Sequence, residues 1–111
     1  MDITFSGGKF EKECNSVRLL ERRYGVPRAR RISLRLQQLA AAETLEDLRN
    51  LPGRCHELRG DRAGQFSLDL DGPYRLLFVP TNEPLPKKKD GGIAWKGVTA
   101  VCILSIEDTH E

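Results

Sequence analysis

The sequence combines two histidines with several arginines in its second half, and these residue types suit phosphodiester cleavage without a metal ion. Histidine has an ordinary pKa of about 6.5, so it can accept and release a proton near neutral pH. Phosphodiester cleavage needs a base, an acid and cations that stabilise the charge developing at phosphorus. His56 and His110, together with Arg59, Arg62 and Arg75, would supply that set.

Other catalytic chemistries find little support in the residue pattern. The two histidines and three cysteines are scattered without metal-ligand spacing, so neither a metal site nor a cofactor is expected. Cys55 is adjacent to His56, but neighbouring strand residues point to opposite faces, which disfavours a Cys–His nucleophile pair. A structural role stays open for both histidines, because a lone strand histidine is often a surface or packing residue. A histidine near a terminus is often part of a tail.

The length of 111 residues is typical of one domain, and we expect a single domain over 1–111. No apolar run approaches the roughly 20 residues of a membrane span. The opening residues 1–5 lack the basic and apolar regions of a signal peptide. The three cysteines are widely spaced and lack a CxxC motif, which indicates free thiols and a cytoplasmic location.

An arginine-rich stretch dominates the charge pattern of the first half. Between residues 18 and 35 seven arginines face a single acid, Glu21. The arginines are Arg18, Arg22, Arg23, Arg28, Arg30, Arg31 and Arg35. Such a stretch could follow a phosphate backbone or bind an acidic partner. The alternative is a solvated helix face, and the sequence leaves both open.

The first half predicts a strand followed by a helical hairpin. Residues 2–6 alternate as a short strand, and apolar residues then recur at helical spacing over 9–24. The predicted buried stripe comprises Phe10, Cys14, Val17, Leu20 and Tyr24. Gly25 suits the end of this helix, and Pro27 the first turn of the next. A single extra helical turn should run from Thr44 to Asn50.

The second half predicts four strands. Strands are expected over 54–59, 65–70, 74–79 and 98–106, with turns at 60–64 and 71–72 and a long exposed loop over 81–97. The last strand is apolar on both faces, which is typical of a sheet interior. One of its faces would carry Cys102, Leu104 and Ile106, and the other Val101 and Ile103.

This element order predicts an α+β fold. An N-terminal strand and a helical hairpin would pack on one face of a twisted, largely antiparallel sheet of four to five strands. Such an arrangement buries every apolar stripe that the sequence contains.

Two segments and the C-terminal end resemble a known family. The run from His56 to Gly64 (HELRGDRAG), the Tyr74–Phe78 segment (YRLLF) and the ending Asp108-Thr109-His110 resemble the HigB branch of the RelE/ParE toxin superfamily. Some relatives are called "killer suppression protein"; the motif favours a toxin over the antitoxin role that this name suggests. The resemblance implies a RelE-like fold and a ribosome-dependent endoribonuclease that cuts mRNA in the ribosomal A site. The implied partners are the ribosome, mRNA and a DNA-binding, HigA-like antitoxin.

The resemblance also assigns roles to residues. His56 matches the family's catalytic histidine, Arg59 a basic residue near the scissile phosphate, and Arg75 the strand arginine that stabilises transition-state charge. His110 matches the terminal acid or base, and Thr109 replaces the tyrosine of the family's D-Y-H ending. That replacement implies a slower or differently selective enzyme. Strand alternation requires Arg59 to lie in the turn rather than in the ladder.

Further residues are assigned to RNA binding. They are Arg62, Asp108, Thr109, Lys87, Lys88 and Lys89. For the three lysines, a role in solubility is the alternative. Three other functions stay open: a ParE-like gyrase inhibitor, which would need neither histidine; a nucleic-acid-binding module that uses the arginine-bearing hairpin; and a degraded toxin kept for antitoxin binding.

Overall fold

The chain forms a five-stranded sheet flanked by helices, in the strand order β1-β5-β4-β3-β2. The computed structural model describes residues 1–109. The strands are β1 (Asp2–Phe5), β2 (His56–Glu57), β3 (Phe66–Asp69), β4 (Tyr74–Pro80) and β5 (Ala100–Asp108). β1 runs parallel to β5, and the other three pairs are antiparallel. The predicted α+β class, with its largely antiparallel sheet, is confirmed.

The first predicted helix is two helices. α1 (Gly8–Cys14) ends at Asn15, and α2 (Val17–Tyr24) begins after Ser16, whose side chain accepts a hydrogen bond from the amide of Leu19 at 3.2 Å. Serine is a favourable N-cap, so it starts a new helix instead of continuing the old one. The continuous stripe predicted for 9–24 is therefore wrong at Val17, whose exposed fraction is 62%.

The second helix of the predicted hairpin is confirmed as α3 (Val26–Ala41), with a proline in its first turn. Gly25 joins it to α2 at φ +84°, a left-handed conformation that glycine adopts without steric cost. Short 3-10 turns occupy Leu45–Asn50, Gly60–Arg62 and Trp95–Gly97. Within residues 1–109, no helix is long and apolar enough to cross a membrane.

Arg35 is buried in α3 and is 2% exposed. Its Nε donates to the carbonyl of Asp69 at 2.7 Å, and its Nη1 to Oε1 of Gln38 at 3.1 Å. Burial lowers the pKa of the Arg35 guanidinium, and the nearby Arg31 lowers it further. Arg35 therefore ties α3 to the end of β3 and is not part of an exposed arginine surface.

The helices cover one face of the sheet. The side chains that point to them are buried and form one cluster with apolar residues of α2 and α3. On the sheet these are Phe66, Leu68, Leu76, Phe78, Val101 and Ile103. Phe66 and Phe78 stack with centroids 5.6 Å apart. Burying each large apolar side chain contributes about 1.5–3 kcal/mol, so this layer holds the helices on the sheet.

A β-bulge interrupts the pairing of β4 with β5. Phe78 is opposite Ile103, but Leu77 is opposite Ser105, so Leu104 is an extra residue in β5. An extra residue reverses the alternation of the side chains that follow it. Ile106 consequently shares the helix-covered face with Ile103, and the predicted grouping of Ile106 with Cys102 is wrong. The interior position of β5 is confirmed, since it lies between β1 and β4.

β2 is shorter than the predicted strand over 54–59. The backbone enters it through positive φ angles at Gly53 (+115°) and Arg54 (+50°), which extended strands do not have. After β2, Arg59 already precedes the 3-10 turn. The predicted loop over 81–97 contains a small hairpin closed by an antiparallel bridge between Lys87 and Ile93.

Gly53→Ala should destabilise the protein. The new methyl group would lie 2.9 Å from Nε of Arg35, which its bonds to Asp69 and Gln38 hold in place. Backbone strain and overpacking together predict a loss of about 3 kcal/mol in the free energy of unfolding, measured by urea titration.

Gly91→Ala is the matched control for this substitution. Gly91 also has a positive φ, +91°, but a methyl group there meets nothing within 4 Å. Gly91→Ala should therefore lower the free energy of unfolding by only about 1 kcal/mol. Equal losses in the two variants would mean that the close approach to Arg35 contributes nothing.

Candidate active site

The predicted catalytic residues of β2 and β4 lie on the face of the sheet opposite the helices, here called the helix-free face. Directly paired residues share a face. Ser67 pairs with His56 on one side and with Leu77 on the other, and Leu77 pairs with Ser105. The next row on the same face consists of Asp69, Arg75 and Glu107.

His56 presents an acceptor nitrogen to this face. Its Nδ1 lies 2.9 Å from the carbonyl oxygen of Arg54. A carbonyl can only accept, so Nδ1 carries the hydrogen in the neutral ring and Nε2 keeps its lone pair. The side chain is exposed, which leaves Nε2 accessible. His56 is thus arranged to accept a proton from a molecule bound on this face.

Arg75 is held rigidly at the start of β4. Its Nε lies 2.9 Å from Oδ1 of Asp69, and its Nη1 donates to the carbonyls of Gly72 and Tyr74, both at 2.9 Å. Arg54 approaches the other oxygen of Asp69 at 3.0 Å. Asp69 therefore lies between two guanidinium groups, and sequence reasoning missed both Asp69 and Arg54.

Glu107 anchors a second cationic group, Arg62. Nη2 of Arg62 lies 2.8 Å from Oε1 of Glu107, and the hydroxyl of Ser105 donates to Oε2 at 2.7 Å. The hydrogen bond from Ser105, and then that from Arg62, lower the pKa of Glu107 below its ordinary value. The sequence pattern gave no signal for Glu107, because only the bulge at Leu104 brings it to this face.

The ion pair between Arg62 and Glu107 draws the β2–β3 connection across the sheet. β3 and β4 lie between β2 and β5, so a contact from residue 62 to β5 must cross them. Ser67 and Leu77 are 1% exposed, although none of the α-helices within residues 1–109 packs on this face. Among the described residues, Oγ of Ser67 is a buried side-chain oxygen without a hydrogen-bond partner.

The C-terminal end of β5 lines a cleft with this connection. The cleft has a volume of about 280 Å³ and is lined by Leu58, Arg62, Glu107, Asp108 and Thr109. Thr109 donates from its backbone N–H and from Oγ1 to the carbonyl of Pro73, at 2.9 and 3.0 Å. Three predicted RNA-binding residues, Arg62, Asp108 and Thr109, therefore line one cleft, although the pairing of Asp108 with Tyr74 places its side chain on the helix-covered face. The predicted catalytic residue His110 lies outside the described residues.

Arg59 lies where strand alternation required it, in the turn rather than in the ladder. It precedes the 3-10 turn Gly60–Arg62 and its side chain is exposed. Strand spacing places the Cα atoms of His56 and Arg75 about 12 Å apart, across Ser67. A group lying over Ser67 can thus be approached by a histidine from one side and by a guanidinium from the other.

The three predicted RNA-binding lysines do not lie with the other candidate residues. Lys87, Lys88 and Lys89 are exposed in the hairpin that follows β4, whereas Arg75 lies at the start of that strand. β4 is about 20 Å long at the usual rise per residue, so the lysines are at the far end of the sheet.

The arginine-rich stretch is only partly available to a partner. Arg28 binds Asp71 through two hydrogen bonds of 2.9 and 3.1 Å and stacks 3.4 Å above the ring of Tyr74. The hydrogen bond from Arg28 lowers the pKa of Asp71. Arg28 and the buried Arg35 are therefore structural, and Arg18, Arg22, Arg23, Arg30 and Arg31 are exposed.

Neither a thiol nor a metal site contributes to this face. Burial raises the pKa of Cys55 to about 12, so its thiol is not activated beside His56. Burial likewise raises the pKa of Cys14 to about 12. Within residues 1–109, no group of three or more His, Cys, Asp or Glu side chains is placed to hold a metal ion. The chemistry that this face offers is proton transfer by imidazole beside fixed guanidinium groups.

The chain shares its fold with solved structures of YoeB and YoeB/ParE toxins. No protein-family model matches the chain, and no curated protein matches it in sequence. Among solved structures it is similar to a YoeB/ParE toxin from Agrobacterium tumefaciens, with a TM-score of 0.61 and 10% identity over 99% of this chain and 100% of that one. It is also similar to a chain of the YoeB–YefM complex from Staphylococcus aureus (TM-score 0.57, 15% identity, 100% and 98% covered). A third similar structure is the YoeB dimer from Staphylococcus aureus, with a TM-score of 0.55 and 17% identity over 100% of this chain and 98% of that one. At these identities the likeness shows a shared fold.

Glu107→Gln should lower stability at neutral pH but not in acid. Since the pKa of Glu107 is below its ordinary 4.5, its ion pair with Arg62 stabilises the fold above that pH. The contribution disappears as the pH falls through the lowered pKa. Both side chains are partly exposed, so we expect a loss of about 1 kcal/mol at neutral pH.

Urea titrations at neutral pH and at about pH 3 measure this difference. The difference between the variant and the wild type should be smaller at the lower pH, and it should vanish below the lowered pKa of Glu107. Glu43→Gln, at an exposed carboxylate beyond the C-terminal end of α3, is the control and should change little at either pH. A loss that is the same at both pH values would assign the role of Glu107 to packing instead of charge.

Proposed function

We propose that this chain, as one domain over 1–111, is the toxin of a type II toxin–antitoxin module and a ribosome-dependent mRNA endoribonuclease. The observation that carries the proposal is the arrangement on the helix-free face. His56 directs an accepting nitrogen outward, and Arg75 is fixed one row away across Ser67. The shared fold with YoeB and YoeB/ParE toxins supports the same class of function.

The proposed reaction is attack by a ribose 2′-oxygen on the adjacent phosphodiester. His56 or His110 takes the proton from the 2′-hydroxyl, and the resulting alkoxide attacks phosphorus in line. The other histidine protonates the leaving 5′-oxygen. The products are a 2′,3′-cyclic phosphate, or its opened form, and a 5′-hydroxyl. The hydrogen bond from Nδ1 of His56 to the Arg54 carbonyl favours His56 as the base, because Nε2 then holds the lone pair.

Arg75 and Arg59 would stabilise the charge that develops on the phosphate oxygens. The contacts of Arg75 with Asp69, Gly72 and Tyr74 use its Nε and Nη1. Nη2 is therefore the group of Arg75 that would contact a phosphate oxygen, and the side chain would need little reorganisation when RNA binds. Arg59 is exposed beside the connection that crosses the sheet, where it can approach the same phosphate.

The remaining predicted contacts complete the proposal. Arg62, Asp108 and Thr109 would line the path of the RNA through the cleft at the end of β5. Lys87, Lys88 and Lys89 would contact ribosomal RNA by electrostatic attraction. The chemistry of a histidine with arginines needs no metal and no cofactor. An enzyme that acts on translating ribosomes would work in the cytoplasm.

A cognate antitoxin is the proposed protein partner. The S. aureus neighbour is a complex of YoeB with YefM. The residue motifs at 56–64 and 74–78 favour the HigB type, and hence a DNA-binding, HigA-like antitoxin.

Gyrase inhibition is the second candidate, since the A. tumefaciens neighbour is described as a YoeB/ParE toxin. A protein that only binds gyrase would need no outward-facing acceptor nitrogen at His56. Inhibition of gyrase by the His56→Ala variant, without RNA cleavage by the wild type, would favour this candidate.

His56→Ala should lower mRNA cleavage at least about 100-fold, because it removes a general base or acid. Primer extension on mRNA in a purified translation system, with and without ribosomes, measures this directly. The wild type should cut at a fixed codon position only when ribosomes are present.

Lys12→Ala is the control for this measurement, because Lys12 is exposed on α1, away from the helix-free face. It should cut like the wild type, and circular dichroism should show that both variants are folded. Undiminished cleavage by folded His56→Ala would make His56 a surface residue and not a catalytic one.

A further inference from the structure

A tryptophan and an arginine stack on each other outside the candidate active site. Trp95 packs edge to face on Phe66, with ring centroids 5.2 Å apart, which anchors the indole to the core. The guanidinium carbon of Arg49 lies 3.7 Å from the centroid of the Trp95 ring. Nε of Arg49 is bonded to Oε2 of Glu46 at 2.9 Å, and this bond holds the guanidinium over the indole.

The outer side of this stack faces solvent. Trp95 covers one face of the Arg49 guanidinium, and the Arg49 side chain is still 50% exposed. The stack forms the wall of an open cleft of about 180 Å³, to which Lys88 and Lys96 also contribute. A planar cation on a fixed aromatic ring beside two ammonium groups is a stacking surface next to phosphate-binding charges.

Positive charge predominates around this cleft. Lys87 and Lys89 flank Lys88 in a hairpin closed by the bond from the Lys88 amide to the Gly92 carbonyl, 2.7 Å. Asp90 is the acid of this hairpin. One of its oxygens accepts the backbone N–H of Gly92 at 2.8 Å, and the other lies 3.7 Å from Nζ of Lys88. The hydrogen bond from Gly92 is the main cause of the lowered pKa of Asp90. The carboxylate thus shapes the turn and offsets part of the charge of Lys88, an exposed pair that a phosphate can replace, while Lys87, Lys89 and Lys96 keep positive charge in excess.

We propose that Arg49, Trp95, Lys88 and Lys96 form a binding site for single-stranded RNA, separate from the candidate active site. A base stacks on the outer face of the Arg49 guanidinium, and the phosphates on either side of it contact Lys88 and Lys96. An acidic peptide would satisfy the lysines, but the side chains of Asp and Glu offer no aromatic ring to place on the stack. The arrangement therefore favours a nucleic acid.

This site does not depend on the proposed cleavage reaction. Trp95 contacts Phe66, whose side chain lies on the helix-covered face, whereas His56 and Arg75 lie on the helix-free face. The sheet separates the two sites. A strand held at Arg49 would bind equally well whether or not the protein cuts RNA.

The tryptophan provides a direct probe, because it is the single one in the chain. A short single-stranded oligodeoxynucleotide lacks the 2′-hydroxyl, so it tests binding without cleavage. Its addition should quench the emission of Trp95 with the same midpoint as the anisotropy of a fluorescently labelled copy. Saturating anisotropy without any change in Trp95 emission would place the nucleic acid elsewhere and overturn the proposal.

Three variants test the assigned contacts. Arg49→Lys keeps the positive charge but removes the planar guanidinium on which a base would stack. The dissociation constant for the oligodeoxynucleotide should therefore rise about tenfold. Lys88→Ala combined with Lys96→Ala should reduce the slope of log K against log salt by about 1.4. Lys12→Ala, an exposed cation on α1, should change neither quantity.

Two results would contradict the assignment. If a folded Arg49→Lys variant bound the oligodeoxynucleotide with wild-type affinity, no base would be stacking on Arg49. If polyglutamate quenched the emission of Trp95 as strongly as the oligodeoxynucleotide does, the partner of this site would be an acidic peptide and not a nucleic acid. Because none of these measurements uses cleavage, a chain that binds without cutting would refute only the proposed function.

Discussion

β5 is hydrogen-bonded on both sides, to β1 in parallel and to β4 in antiparallel fashion, and its register against β4 changes by one residue at Leu104. Before the bulge, Val101 and Ile103 face the helices; after it, Ile106 does. Without the extra residue, Ile106 would leave the core and Glu107 would point into it. The bulge therefore sets the apolar packing of β5 and brings Glu107 to the helix-free face.

The position of Glu107 in turn organises the candidate active site. Arg62 binds it, and this contact holds the β2–β3 connection across the sheet. Asp69 acts similarly on Arg54 and Arg75. Partly exposed ion pairs of this kind contribute about 0–1 kcal/mol each, so their main effect is to orient guanidinium groups rather than to stabilise the fold. A phosphate bound on this face, as proposed, would meet cations that are already in place.

Local signals in the sequence predicted much of this architecture. Gly25 and Pro27 marked the boundary of α3, the alternation at Phe66 and Leu68 marked β3, and the parity of His56 and Arg59 placed Arg59 in the turn. The break before α2 was missed, although Ser16 is a good N-cap, because the helical spacing of apolar residues runs through it. At Ser16 the capping hydrogen bond favours a new helix, whereas the continuous apolar stripe favours one long helix. The sequence alone does not show which of the two effects is stronger.

Features that depend on pairing between distant residues were not predictable in this way. The bulge at Leu104 is a property of two strands together, and Glu107 reaches the site only through it. The burial of Arg35 follows from the close approach of Gly53 and β3, which no periodicity in α3 reveals. His56, Arg59 and Arg75 could be proposed from the sequence because their types suit the chemistry and because they lie in segments that resemble a family motif.

The most direct test of the central claim replaces one 2′-hydroxyl of the substrate. A synthetic mRNA with a single 2′-deoxynucleotide immediately 5′ of the cut site would be translated with the wild-type protein, beside the all-ribose message. In-line attack by the 2′-oxygen predicts that the cut at that position disappears while the protein still binds the ribosome. An undiminished cut at the deoxy position would contradict the account, because the nucleophile would then not be the 2′-oxygen.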